Sequence, residues 1–216
     1  MKLDKLFQSA VAELRRRKVP FAVAGGFAAD LYRREPRLTM DVDLVIATGT
    51  KGLRTAAEII RSLGLHAGIA READLAGGPL FAIRRKSTKP LMVFGRAKDD
   101  TSGEGVDILL PAIPWAGEAV TRAQFNQVNF GFGPVPVLTL EDVILSKLHA
   151  LSSTRLRAKD MDDLQSIFDA GHTPDLPYLS GAMHRLHIVI PKEAAPFLPK
   201  TIITLSRDVA RTRRKR

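Results

Sequence analysis

Two aspartates two positions apart, Asp41 and Asp43 in Arg37-Leu-Thr-Met-Asp-Val-Asp-Leu-Val-Ile46, are the side chains of this sequence best arranged to do chemistry. In an extended strand alternate side chains point the same way, so the two carboxylates share a face, roughly 6.5 Å apart along the chain, while Val42, Leu44 and Ile46 take the other. Like charges this close are unfavourable unless a cation sits between them, and hard oxygen ligands select magnesium or manganese. A third carboxylate, Asp107, interrupts the apolar run Gly105-Val-Asp-Ile-Leu-Leu110, where an unpaired charge is costly. Three carboxylates can hold two ions. Upstream, apolar Phe21 to Ala24 reads as a buried strand, Gly25-Gly26 as a tight turn that lets backbone approach a ligand, and residues 27–34 as a helix facing it. Phosphate is the guest that such a turn suits. An Asp-x-Asp pair by itself also fits a solvated strand; the glycine turn and Asp107 are what favour the metal reading.

The elements that must position these residues follow from periodicity. Leu3, Leu6, Phe7, Ala10, Val11 and Leu14 recur at helical spacing and predict an opening amphipathic helix packed on a sheet. Strands are expected at about 20–24 and 41–46, a helix over 53–63, and short strands at 80–84, 91–94 and 106–110. The sheet they imply is mixed. The polar stretch 98–103 reads as a hairpin loop in which Asp99 and Asp100 are solvated. Pro134-Val-Pro136 marks a boundary, after which Thr139 and Asp142 are spaced as a capping box and the chain turns mainly helical. Leu140, Val143, Ile144, Leu148 and Leu151 form a buried stripe, and Lys147 sits beside it, free to snorkel to water or to reach a ligand. Asp160 and Asp163, three apart on the next helix, are spaced to orient that lysine or an arginine, or to form a plain interhelical salt bridge. The expected organisation is an α/β (α+β) catalytic domain over 1–138, a mixed sheet flanked by helices. A helical region over 139–216 follows, completing the cleft and carrying a basic tail at 211–216.

Composition bounds the function. The 216 residues carry 33 Lys and Arg against 23 Asp and Glu, a net charge of +10 that favours an anionic partner through counterion release. Arg15-Arg16-Arg17-Lys18, Arg84-Arg85-Lys86 and the C-terminal tail concentrate that charge; for the tail, RNA binding and simple solubility weigh equally. With two Tyr and one Trp no aromatic platform for single strands is evident. The absence of cysteine excludes disulfides and thiolate metal sites, and the five histidines lack zinc-site spacing. No apolar run is long enough to cross a bilayer and the first residues lack a signal-peptide core, so a cytoplasmic protein without a membrane partner is expected.

The order of glycine turn, Asp-x-Asp pair and distant third aspartate resembles the nucleotidyltransferase superfamily related to DNA polymerase beta. The Arg37 and Thr39 lead-in, together with Lys147 in Leu138-Thr-Leu-Glu-Asp-Val-Ile-Leu-Ser-Lys147 and the run Arg155-Leu-Arg-Ala-Lys-Asp160-Met-Asp-Asp163-Leu164, is most similar to the AbiEii-type abortive-infection toxins. The resemblance implies a polymerase-beta-like core that moves an NMP from a nucleoside triphosphate to an acceptor hydroxyl with release of pyrophosphate. It implies two Mg²⁺ ions, or Mn²⁺, about 3.5 to 4 Å apart and held by Asp41, Asp43 and Asp107. Gly25, Gly26 and Lys147 would position phosphates, Thr39 would bind phosphate or brace the turn, and Arg37, Asp160 and Asp163 would support them. The implied acceptor is RNA, such as tRNA, or a protein hydroxyl, and the implied setting is a toxin–antitoxin or phage-defence system with a cognate antitoxin. Two alternatives stand beside it: a small-molecule, antibiotic-type nucleotidyltransferase, and a non-catalytic nucleotide-binding or antitoxin-like module.

Overall fold

The computed structural model describes residues 3–48, 51–71, 90–98, 104–111, 114–153 and 158–214. Contacts divide the chain into two compact units, one holding the sheet and the other holding residues 29–36 and the chain from Leu140 onward.

The sheet unit opens with α1 (Leu3–Arg16), whose Leu6, Phe7, Ala10, Val11 and Leu14 are buried at the helical spacing expected of them. Five strands follow in the order β1-β2-β5-β4-β3: β1 (Phe21–Val23), β2 (Asp41–Ile46), β3 (His66–Arg71), β4 (Pro90–Arg96) and β5 (Gly105–Leu109). Only β2 and β5 pair in parallel; the other three pairings are antiparallel, so the sheet is mixed as expected. One face, which includes Val42, Leu44, Ile46, Val93, Val106 and Ile108, is fully buried. A Cβ placed on Gly95 of that face would strike the Ile60 side chain of α3 (Gly52–Ser62), so the helix lies directly on the strand there.

Several elements differ from expectation. The helix read over 27–34 is α2 (Gly25–Asp30), which starts on the glycine pair itself and is one and a half turns long. Strand β3 was not anticipated, because His66, Gly68 and Arg71 hide its alternation. The helix α4 (Pro114–Ala123) was missed as well; it packs against β1 and β2 and buries Ala116, Ala119, Val120 and Ala123. Pro134–Pro136, read as a boundary, forms β7, paired antiparallel with β6 (Gln127–Asn129), and the division between the two units falls just beyond it, after Thr139. Asn129 Oδ1 closes that hairpin by accepting from the amides of Gly131 and Gly133, which have φ of 91° and 101°. The strand expected at 80–84, most of the 98–103 loop with Asp99 and Asp100, and the basic cluster at 84–86 lie outside the described residues.

The second unit is helical: α5 (Leu140–Ser153), α6 (Ala158–Asp169), α7 (Leu176–Leu186) and α8 (Lys200–Arg214). Asp175 caps α7 by accepting from the Tyr178 amide at 2.9 Å, and His187 ends it in the left-handed region at φ 54°. Asp142, expected in a capping box, is fully buried and accepts from the Tyr178 hydroxyl at 2.8 Å. No described helix is long and apolar enough to cross a membrane.

Candidate active site

Strand pairing brings Asp43 and Asp107 together. In the parallel β2–β5 ladder Asp41 is in register with Gly105 and Asp43 with Asp107, so alternation puts all three aspartates on one face, opposite the face covered by α3. One oxygen from each of Asp41, Asp43 and Asp107 lies within 4.8 Å of the others. Among the described residues no other group of histidines and carboxylates is spaced to share a metal ion. Asp107 is buried, while Asp41 and Asp43 are half-buried. Burial pushes the Asp107 carboxyl above its ordinary value and the Asp41 charge adds to that, against the opposing pull of Arg96.

The glycine turn meets this face through β2. The Ala24 amide donates to the Asp43 carbonyl at 2.9 Å. Gly25 has φ of 57°, and a Cβ there would collide with the Asp43 carboxylate. A Cβ on Gly26 would come 2.6 Å from Thr39 Oγ1 and 3.3 Å from Arg37 Nη2. Both glycines are therefore demanded by close approach, to Asp43 in one case and to Thr39 and Arg37 in the other. Four phenylalanines brace the turn from behind: Phe7 of α1 has ring centroids 5.0 to 5.2 Å from Phe27, Phe130 and Phe132. The segment after β7 adds a parallel bridge from Val137 to Val23. Gly25→Ala is expected to cost about 1–3 kcal/mol of backbone strain and to push the Asp43 carboxylate aside; a lowered melting temperature and weakened Mn²⁺ binding would show it.

The sequence-predicted residues of the helical unit form their own cluster. Lys147 does not snorkel: it is 7% exposed, with Nζ 3.0 Å from Asp160 Oδ1 and 2.7 Å from Asp163 Oδ2. Arg33 joins from residues 29–36, its Nη1 2.8 Å from Asp163 Oδ1 and 2.9 Å from Asp162 Oδ2. Burial works against the Lys147 charge, but Asp160 and Asp163 outweigh it and raise the lysine above its ordinary 10.5. The lysine's share of this stabilisation is present in full below 10.5 as far as its own titration goes, and is lost as the pH rises through the still higher folded value.

Two residues of these clusters were not anticipated. Arg33 is paired with a carboxylate far along the chain, a contact that no local pattern announces. Arg96 is different. It ends β4, two residues beyond the strand expected at 91–94, and its register with Gly105 puts it on the face of Asp107. Its Nη1 donates to Asp107 Oδ1 at 2.6 Å and Nη2 to Oδ2 at 3.3 Å, and Nη2 lies 3.8 Å from Asp41 Oδ2. The basic run at 15–18 is partly spent on structure: Arg16 and Arg17 pair with Glu13, Arg17 reaches Glu58, and Arg15 donates to the Pro134 carbonyl. The hydrogen bonds from Arg16 and Arg17 hold the Glu13 carboxyl down at about 2.

Residues 11–212 match the model of one protein family, the nucleotidyl transferase AbiEii toxin of type IV toxin–antitoxin systems. The chain belongs to the AbiEii family. With that membership it is a nucleotidyltransferase. No curated protein matches this AbiEii-family chain. Among solved structures it is similar to ANT(2'')-Ia in complex with adenylyl-2''-tobramycin, at 18% identity and a TM-score of 0.51, covering 85% of this chain and 95% of that one. A putative nucleotidyltransferase from H. pylori aligns over 97% of this chain and 96% of its own, at 15% identity and a TM-score of 0.47. A CCA-adding enzyme in complex with ATP aligns over 94% of this chain and 52% of its own, at 15% identity and a TM-score of 0.37. At these identities the first of the three speaks to fold alone, and the fold of the AbiEii-family sheet unit is that of the nucleotidyltransferases.

Proposed function

We propose that this AbiEii-family enzyme transfers an NMP from a nucleoside triphosphate to a hydroxyl of RNA, with tRNA the favoured class, at the face carrying Asp41, Asp43 and Asp107. The observation that carries the reading is the convergence of these three carboxylates beside the Gly25-Gly26 turn. The donor set suits hard divalent ions: it is all oxygen, three carboxylates with one oxygen each within 4.8 Å of the others. Two Mg²⁺ ions, with Mn²⁺ as substitute, would supply Lewis-acid polarisation and offset charge on the leaving oxygen.

In this reading Asp41 and Asp43 hold the ions and Asp107 completes the set on the side of the nucleophile. The acceptor oxygen forms a bond to the α-phosphorus while the bond to the pyrophosphate oxygen breaks, its electron pair leaving with pyrophosphate. Asp107 takes up the acceptor proton. Amides of the Gly25-Gly26 turn and the Lys147 ammonium position phosphates, Thr39 either binds phosphate or braces the turn, and Arg37, Asp160 and Asp163 support the arrangement.

The positive charge of the chain, and exposed Arg207, Arg211 and Arg213 along α8, support RNA over a cationic drug as acceptor. The setting proposed is the cytoplasm, in a toxin–antitoxin system. The proposed functional division is a catalytic region over 1–138 followed by a helical region over 139–216. Purified protein incubated with Mg²⁺, each α-labelled nucleoside triphosphate in turn, and total RNA with cell protein is expected to move label to RNA. Label on protein would replace the acceptor class. Label on neither, despite metal-dependent nucleotide binding, would favour a small hydroxylated acceptor or a binding module without turnover.

A further inference from the structure

Arg96 presents its guanidinium fork to both oxygens of Asp107 and lies 3.8 Å from Asp41. Its path is prepared. Arg96 and Gly105 are register partners, and a Cβ on Gly105 would meet both the Arg96 side chain and the Gly95 carbonyl. The missing side chain at Gly105 thus lets the arginine cross β5 toward the carboxylates. Besides Asp107, Arg96 Nη1 donates to the Gly95 carbonyl at 2.9 Å and the guanidinium lies 5.9 Å from the Phe94 ring centroid, while the side chain is 31% exposed and so has an outlet to solvent.

A magnesium-sized ion binds carboxylate oxygen at about 2.0–2.1 Å. An ion so close to either Asp107 oxygen would face a guanidinium already hydrogen-bonded to that oxygen, and both charges are positive. We propose that Arg96 is a built-in placeholder cation, which pairs with Asp107 and offsets part of the Asp41 charge in the metal-free protein, and which must withdraw from Asp107 before an ion is held there. The proposal rests on reading the three aspartates as the metal site. It makes Arg96 a positioning residue that keeps like charges together without an ion and weakens capture of a metal ion before substrate arrives.

The test is Mn²⁺ binding to the nucleotide-free protein, followed by loss of the free-ion electron paramagnetic resonance signal, for the wild type, Arg96→Met, Asp43→Asn and the double variant. Arg96→Met is expected to bind Mn²⁺ at least about tenfold more tightly than the wild type, because the ion no longer displaces a charge-assisted hydrogen bond. The double variant is expected to lose that gain. Unchanged or weaker binding by folded Arg96→Met overturns the placeholder role; if Asp43→Asn still weakens binding, the metal site itself survives. If Asp43→Asn changes binding in neither background, the metal reading fails and the proposal with it. Should Arg96→Met fail to fold by circular dichroism, a structure of the Mn²⁺-loaded wild type decides: Arg96 retained on both Asp107 oxygens beside a bound ion overturns the proposal, and Arg96 withdrawn supports it.

Discussion

Asp43→Asn is expected to lower nucleotidyl transfer by about 10³-fold or more while leaving the metal-free protein at least as stable as the wild type. The two halves of this result have one cause. Asp43 sits in register with Asp107 and shares a face with Asp41, so its charge stands beside two like charges that Arg96 offsets only in part. Neutralising it removes a metal ligand and also relieves repulsion in the ion-free sheet. Thermal unfolding in chelator and a transfer assay in Mg²⁺ separate the effects. Transfer retained within tenfold would remove Asp43 from the site, and a large fall in the chelator melting temperature would give it a structural role instead.

Lys147→Met carries the largest expected cost in stability. Two carboxylates, Asp160 and Asp163, are buried against the ammonium, and Asp163 keeps Arg33 while Asp160 loses its lysine. Breaking a buried pair from one side typically costs about 3–5 kcal/mol, because the desolvated partner charge remains. For a chain of this size that is a fall of roughly 6–20 °C in melting temperature. Pairing Lys147→Met with Asp160→Asn removes the stranded charge and is expected to return much of the stability. Transfer distinguishes the roles: if it stays lost in the restabilised double variant, Lys147 acts on phosphate; if it returns, the lysine serves the helical unit.

Legibility in the sequence varied with the range of the interaction. The Asp41–Asp43 pair was readable because strand alternation is local, and α1 because its apolar residues recur at one spacing. Asp107 was singled out by burial cost and set beside the pair as a third carboxylate, while its registration opposite Asp43 came from the parallel ladder. The glycine pair was read as a turn, but helix α2 begins on it, since Gly25 adopts φ of 57° and the chain turns helical at once. Pro134 and Pro136 pointed to a break because proline removes ladder donors; a two-stranded ribbon accommodates them on strand β7. Arg33 and Arg96 show the other limit. Their partners are set by tertiary pairing, for Arg96 by the β4–β5 register and for Arg33 by a helix far along the chain.

The parallel pairing of β2 with β5 also sets when the site can exist. Positions 43 and 107 meet across the longest-range ladder in the sheet, closed after the antiparallel neighbours β4 and β5 can already have zipped locally. Ordering a long intervening loop before any contact rewards it makes such pairings late events in folding. A nascent or partly unfolded chain therefore has the three aspartates but not their convergence. On the proposed reading of that face, catalytic competence waits on completion of the sheet, and the chain stays inert until β5 has docked beside β2.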